Sequence, residues 1–159
     1  MNLPKALIAS VAGTAFMTLF SHIVSDIDEE NYSEPLLLSQ LMHRIAPSMG
    51  KKTAKIAGWN AHFAVGAAFA AAYEGWLSAS HKKPNLANGL VMGVVSGIGG
   101  IGIWKATFKS HPAPPQIPYR RYYTQLLAAH LVFGAVTAIT LNLLEYKQSL
   151  HNTKMPDEQ

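Results

Sequence analysis

The chain has 159 residues, enough for one compact unit and little more. Charged residues make up 14% of it, against about 25% in ordinary soluble domains. The absence of cysteine excludes disulfides, thiolate metal sites and iron–sulfur clusters, and a net charge of +4 without any long basic run excludes a nucleic-acid footprint.

Four stretches carry no formal charge: residues 6–24, 56–73, 85–104 and 122–144. A helix needs about 20 mostly apolar residues to cross a hydrocarbon core of roughly 30 Å, and each stretch approaches or exceeds that length. The expected fold is all-α: a four-helix transmembrane bundle with spans at about 6–24, 56–78, 85–108 and 122–146. Residues 1–146 form a single integral membrane domain on this reading, and 147–159 a frayed polar tail. A soluble bundle of wholly buried helices is the alternative. Four such stretches in so short a chain argue against it.

The first stretch is longer than a signal-peptide core, and no small-residue cleavage pattern follows it, so it reads as an uncleaved span. Ser10, Thr14, Thr18, Ser21 and Ser25 form a polar stripe along one side of it. Interhelical hydrogen bonding explains that stripe better than a pore lining does. The next connection begins acidic, with Asp26, Asp28, Glu29, Glu30 and Glu34. It then carries a helix at about 35–46, opened by Pro35 and closed by Pro47, with Leu37, Leu38, Leu41, Met42 and Ile45 on one face. This is an interfacial amphipathic helix on the membrane surface or a cap on the bundle.

Aromatic residues frame the later spans, as expected of rings that favour the two membrane–water interfaces. Trp59 opens the second and Trp76 closes it. Trp104 closes the third, and Tyr122, Tyr123 and Tyr146 bracket the fourth. Glu74 reads as a snorkelling interfacial charge within reach of His81, Lys82 and Lys83. The third span places Gly89, Gly93, Gly97 and Gly100 on one narrow face, a small-xxx-small surface for close helix packing. The segment before the fourth span holds Pro112, Pro114, Pro115 and Pro118 and reads as a stiff, extended loop. With four spans, the loops holding Arg44, Lys51, Lys52, Lys55, Lys105, Lys109, Arg120 and Arg121 share one side. The positive-inside rule points to that side as cytoplasmic.

An internal repeat is visible. Residues 61–67 and 129–135 both fit Ala-His-x-x-x-Gly-Ala, and Ala9 and Gly13 correspond more loosely to Gly89 and Gly93. The repeat implies two helical hairpins related by an axis along the membrane normal. It sets His62 and His130 at matched depth, each one turn from a packing glycine, Gly66 or Gly134. His22, Asn60 and Lys105 fall at the same level. Ionisable groups inside spans usually face the protein interior or a water-filled cavity. Three readings follow for this set. The histidines bond across helices with no ligand. Alternatively, the five residues line a cavity for an anion, a small solute or protons. Or His62 and His130 ligate a metal or the iron of haem b from opposing helices.

No phosphate-binding glycine loop, zinc-binding His-Glu-x-x-His or nucleophile elbow occurs, and nothing pairs a nucleophile with a base. Catalysis is therefore not expected. Residues 13–18 (Gly-Thr-Ala-Phe-Met-Thr), the run Gly58-Trp59-x-x-His62-Phe63-x-x-Gly66 and His130-Leu131-x-x-Gly134 together resemble small bacterial inner-membrane proteins of the YagU-like kind. The likeness runs over most of the chain. It implies an inner-membrane location and a helical architecture and carries over no functional residue. The leading expectation is a non-enzymatic integral membrane protein, without a cofactor, acting through helix packing. Its partners are the lipid bilayer and either a second copy of itself or other membrane subunits, with no nucleic acid. A small-solute, anion or proton transporter or channel is the alternative.

Overall fold

The computed structural model describes residues 2–154 and is all-helical there. Five helices follow in order: α1 (Leu3–Asp28), α2 (Glu34–Ile45), α3 (Lys51–Ala79), α4 (Leu86–Ser110) and α5 (Tyr119–Lys154). The ends follow local sequence. Asn2 caps α1 by accepting the Lys5 amide at 3.2 Å, with Pro4 in the first turn. Asn85 and Asn88 form a reciprocal capping box on α4. Pro35 lies in the first turn of α2, which stops at the residue before Ala46-Pro47.

Three helices, α1, α4 and α5, are long and apolar enough to cross a membrane. They bury only 39%, 33% and 44% of their most apolar windows within the chain, so most of that apolar surface faces outward. Ile8, Val11, Phe16, Leu19 and Ile23 on α1, and Val91, Val95 and Ile98 on α4, are all exposed. Apolar faces of this extent are compatible with a membrane protein and foreign to a soluble monomer. The fourth expected span, α3, matches the others in length at 29 residues but falls outside this set. Asn60, His62, Tyr73 and Glu74 dilute its hydropathy.

α4 packs on α5, α5 on α1 and α1 on α3, while α2 packs on α3. Rising along α4 from Gly89 to Gly97, the neighbours on α5 fall from Ala138 to Leu127, so the two helices run antiparallel. One end of the row is tied by the Asn2 amide donating to Glu74 Oε1 at 2.6 Å, by Tyr73 donating to Asn88, and by Asn142 Nδ2 donating to the Pro84 carbonyl at 2.9 Å. Glu74 thus holds the start of α1 rather than the nearby lysines.

The helix-packing glycines are used inside the chain. A Cβ on Gly93 would lie 2.6 Å from the His130 carbonyl oxygen and 2.9 Å from Leu131 Cα. One on Gly134 would meet the Gly93 amide at 2.7 Å. Gly89 abuts Ala138 and the Gly134 carbonyl, Gly97 abuts Leu127, and Gly100 abuts the His130 ring. Gly66 packs on Thr14 of α1. Gly99 and Gly102 face open space.

Three expectations are corrected, and one open alternative is narrowed. Trp104 is not an interfacial anchor. It is buried with Phe108 and Tyr122, its ring 5.0 Å and 5.6 Å from theirs. Tyr122, expected at an interface, is wholly buried. Of the two readings for the helix at 34–45, its packing favours the cap over a helix lying free on a surface. Glu34, Pro35, Leu37, Ser39 and Leu41 are buried, and Gly58 of α3 packs directly on Ser39 and Pro35. The end of α2 is pinned to the proline-rich loop by His111 Nε2 donating to the Leu41 carbonyl at 3.1 Å and by Arg44 donating to the Ala113 carbonyl at 2.8 Å. Finally, the polar residues after Tyr146 continue α5 to Lys154, and residues 155–159 of the expected tail lie outside the described residues.

Two glycine variants separate packing from propensity. Gly93→Ala forces α4 away from the α5 backbone and should cost about 1–3 kcal/mol, read as a lower denaturation midpoint in detergent. Gly102→Ala, in open space, should leave stability equal or slightly higher through helix propensity. Equal stability of the two variants would contradict the packing described.

Candidate functional site

All five helices contribute to one internal cavity of about 100 Å³. Its polar lining is Thr14 of α1, Glu34 of α2, His62 of α3, and His130 of α5, with Thr107 of α4 at the rim. Phe69, Trp104 and Phe133 supply aromatic walls. Val65 and Ile103 line it and are 47% and 57% exposed, so the cavity opens between α3 and α4.

His62 is 7% exposed and sits on the same face of α3 as Gly66 and Ala70. Its Nε2 lies 2.9 Å from Thr18 Oγ1. That hydroxyl gives its single proton to the Thr14 carbonyl at 2.7 Å, so it accepts from His62 Nε2–H and leaves Nδ1 with a lone pair. His130 is 6% exposed. Its Nδ1 donates to the Leu126 carbonyl one turn back at 2.8 Å, so Nε2 is the free acceptor, close against Gly100. Phe69 and Phe133 pack on the His130 ring in T-shaped contacts at 6.1 Å and 6.5 Å between centroids.

Glu34 is the residue that sequence reasoning missed. It is 2% exposed, although it lies only four residues beyond an acidic and mostly exposed run that ends at Glu30. Ser21 Oγ donates to Glu34 Oε1 at 3.1 Å and accepts from Gln125 Nε2 at 2.8 Å, a chain that links α1, α2 and α5. Glu34 Oε2, Gln125 Oε1, Tyr122 Oη and Thr14 Oγ1 are buried and have no protein partner. Buried polar groups without partners cost about 1–3 kcal/mol each. Of these four residues, Thr14 and Glu34 line the cavity. Burial pushes the Glu34 carboxyl up from its ordinary 4.5 to about 7, against the opposing pull of its own backbone amide and Ser21. Glu34 carried no signal of its own in the acidic run. Gln125, an amide inside a charge-free stretch, did.

Of the five residues placed at one depth by sequence, the structure brings two together. His62 and His130 line the cavity. His22 is half-buried and Asn60 exposed, and neither lines it. Lys105 is exposed and its ammonium lies 5.3 Å over the Tyr123 ring. These three side chains leave their helices at other angles. Among the described residues, no group of three or more His, Asp or Glu could hold a metal ion. The residues do not fit haem either. His62 Nε2 is committed to Thr18, and 100 Å³ is well below the several hundred Å³ that sites for larger ligands enclose.

The polar stripe of α1 acts as interhelical glue. Thr18 reaches α3 and Ser21 reaches α2 and α5, while Ser25 accepts the Tyr32 amide at 3.0 Å. A scan against family models, a search of curated proteins and a search of solved structures each found no match to the chain.

The carboxyl sets a pH dependence. Its folded value lies above its ordinary one, so the stability it confers is full below about pH 4.5 and is lost as pH rises through about 7. The loss is on the order of 3 kcal/mol at most. The denaturation midpoint of the wild type should fall between pH 6 and pH 8 relative to Glu34→Gln, which stays neutral throughout. Parallel pH profiles for the two proteins would show that Glu34 is not buried as a neutral acid.

Proposed function

We propose that the chain is a non-enzymatic integral protein of a bacterial inner membrane whose internal cavity binds a small solute and passes it across the bilayer. The carrying observation is a cavity built from all five helices and lined by four polar residues, Thr14, Glu34, His62 and His130, of which Thr14 Oγ1 and Glu34 Oε2 have no protein partner. Isolated polar groups inside a membrane domain are costly and mark solute or ion paths.

The proposed architecture is a four-helix bundle of two repeated hairpins, α1 with α3 and α4 with α5, capped by α2. In support, Gly66 meets Thr14 in the first pair where Gly134 meets Gly93 in the second, and Thr14 adjoins Gly13, the repeat equivalent of Gly93. α3 packs along α1 through Gly66 and Thr14, at the middle of a helix apolar enough to span, so it shares that depth. Its polar residue His62 is buried.

A second reading, action through helix packing as a homo-oligomer or accessory subunit, is favoured by Gly99 and Gly102. They are open glycines beside the exposed Ile98 and Ile103. It is the weaker reading because the main glycine face of α4 is occupied by α5 within the chain.

Flux into liposomes tests the transport reading with four probes: protons, methylammonium, glycerol and acetate. The wild type should pass at least one of them above protein-free liposomes. A His62→Ala, His130→Ala double variant with unchanged helicity and particle size should lose most of that flux, roughly tenfold or more by analogy with a lost polar contact. Equal flux in the variant would rule out this cavity as the path.

A further inference from the structure

We propose that the cavity is a cation site that takes a small primary ammonium, with the Glu34 carboxylate as its counter-charge and the Trp104 ring as part of its wall. The inference rests on the solute-binding reading above and names the chemical class of the solute.

Charge is the first argument. Glu34 is the one side chain with a formal charge among those lining the cavity, and no lysine or arginine reaches it. Lys105, the nearest sequence candidate for an anion partner, lies over Tyr123 instead. The bonding pattern is the second. Glu34 Oε1 is fixed by Ser21, which is itself fixed by Gln125, so the carboxyl is oriented while Oε2 is buried without a protein partner. His62 Nδ1 and His130 Nε2 each present a lone pair once their other nitrogens have donated. A site made largely of acceptors calls for a ligand made of donors. An ammonium brings three N–H groups and a positive charge.

The walls and the size narrow the class further. Phe69, Trp104 and Phe133 line the cavity, and aromatic faces attract a desolvated cation. A volume of about 100 Å³ is below the roughly 150 Å³ that holds benzene, so the ligand has only a few heavy atoms. Methylammonium is of that size.

Protons compete for the same group. With the carboxyl raised to about 7, affinity should fall as pH drops below 7, by about tenfold per unit well below it. The titratable groups facing Glu34 are His62 from α3 and His130 and Tyr122 from α5; the cavity residues of α1 and α4 do not titrate.

The test is calorimetric titration of the full chain in lipid nanodiscs at pH 8 with methylammonium chloride, sodium chloride, glycerol and sodium acetate. The proposal expects saturable methylammonium binding that weakens at least about tenfold in Glu34→Gln, the loss of a charged hydrogen-bond partner. Glu34→Gln matches the neutral acid in shape, and Glu34→Asp, keeping the charge, should restore part of the binding. If glycerol or acetate binds, is unaffected by Glu34→Gln and is lost in the double histidine variant, the cavity reading stands and the cation class is overturned. Binding of sodium without methylammonium also overturns it. If no probe binds, the solute-binding reading fails together with this one.

Discussion

One strip of small hydroxyl residues on α1 holds the interior together. Thr18 accepts from His62 on α3, and Ser21 bridges Glu34 on α2 to Gln125 on α5. Each bond is modest, around 1 kcal/mol between membrane helices. Their joint effect is positional. In the proposed membrane setting no water competes for these groups, so a histidine or carboxyl turned inward must take the partner that the neighbouring helix offers. α1 offers one every turn, and three other helices are set in register by it.

Close packing makes the cavity available. Glycines let α4 press its backbone onto α5 over three turns, and Gly100 at the end of that run leaves room for the His130 ring. On the other side, Gly66 brings α3 onto Thr14 and turns His62 inward. α3 and α4 are thereby held mainly by their neighbours and by the Tyr73–Asn88 bond at one end, and the space between them becomes the opening. The cap α2, clamped by His111 and Arg44 to the proline-rich loop, carries Glu34 into the remaining end.

Much of the fold was legible in the chain because its signals are local. Prolines bracket α2 to within a residue, and runs without charge mark the long helices. The weaker case is α3, whose polar residues serve the interior at the expense of hydropathy. The glycine face of α4 was legible from its spacing, although its partner proved to be α5 of the same chain. Half of the site was legible as well, since the paired Ala-His-x-x-x-Gly-Ala motifs single out His62 and His130, and both line the cavity. Depth along a helix is not direction around it, and each residue turns the side chain by about 100°. His22 lies one residue beyond the buried Ser21, Asn60 two before His62, and Lys105 one beyond Trp104, so each points elsewhere. Glu34 was illegible for another reason. It lies just beyond Glu29 and Glu30 of an acidic run, and its tertiary bond to Ser21 of α1 separates it from those solvated neighbours.

The account turns on whether a protonatable carboxyl sits inside this chain, sheltered from water. Labelling in native membranes at pH 6 with the hydrophobic reagent dicyclohexylcarbodiimide, and separately with a water-soluble carbodiimide, followed by peptide mass mapping, tests that directly. The account predicts a dicyclohexylcarbodiimide adduct on Glu34, with the water-soluble reagent confined to exposed acids such as Glu29. Modification of Glu34 by the water-soluble reagent as readily as Glu29 would contradict it.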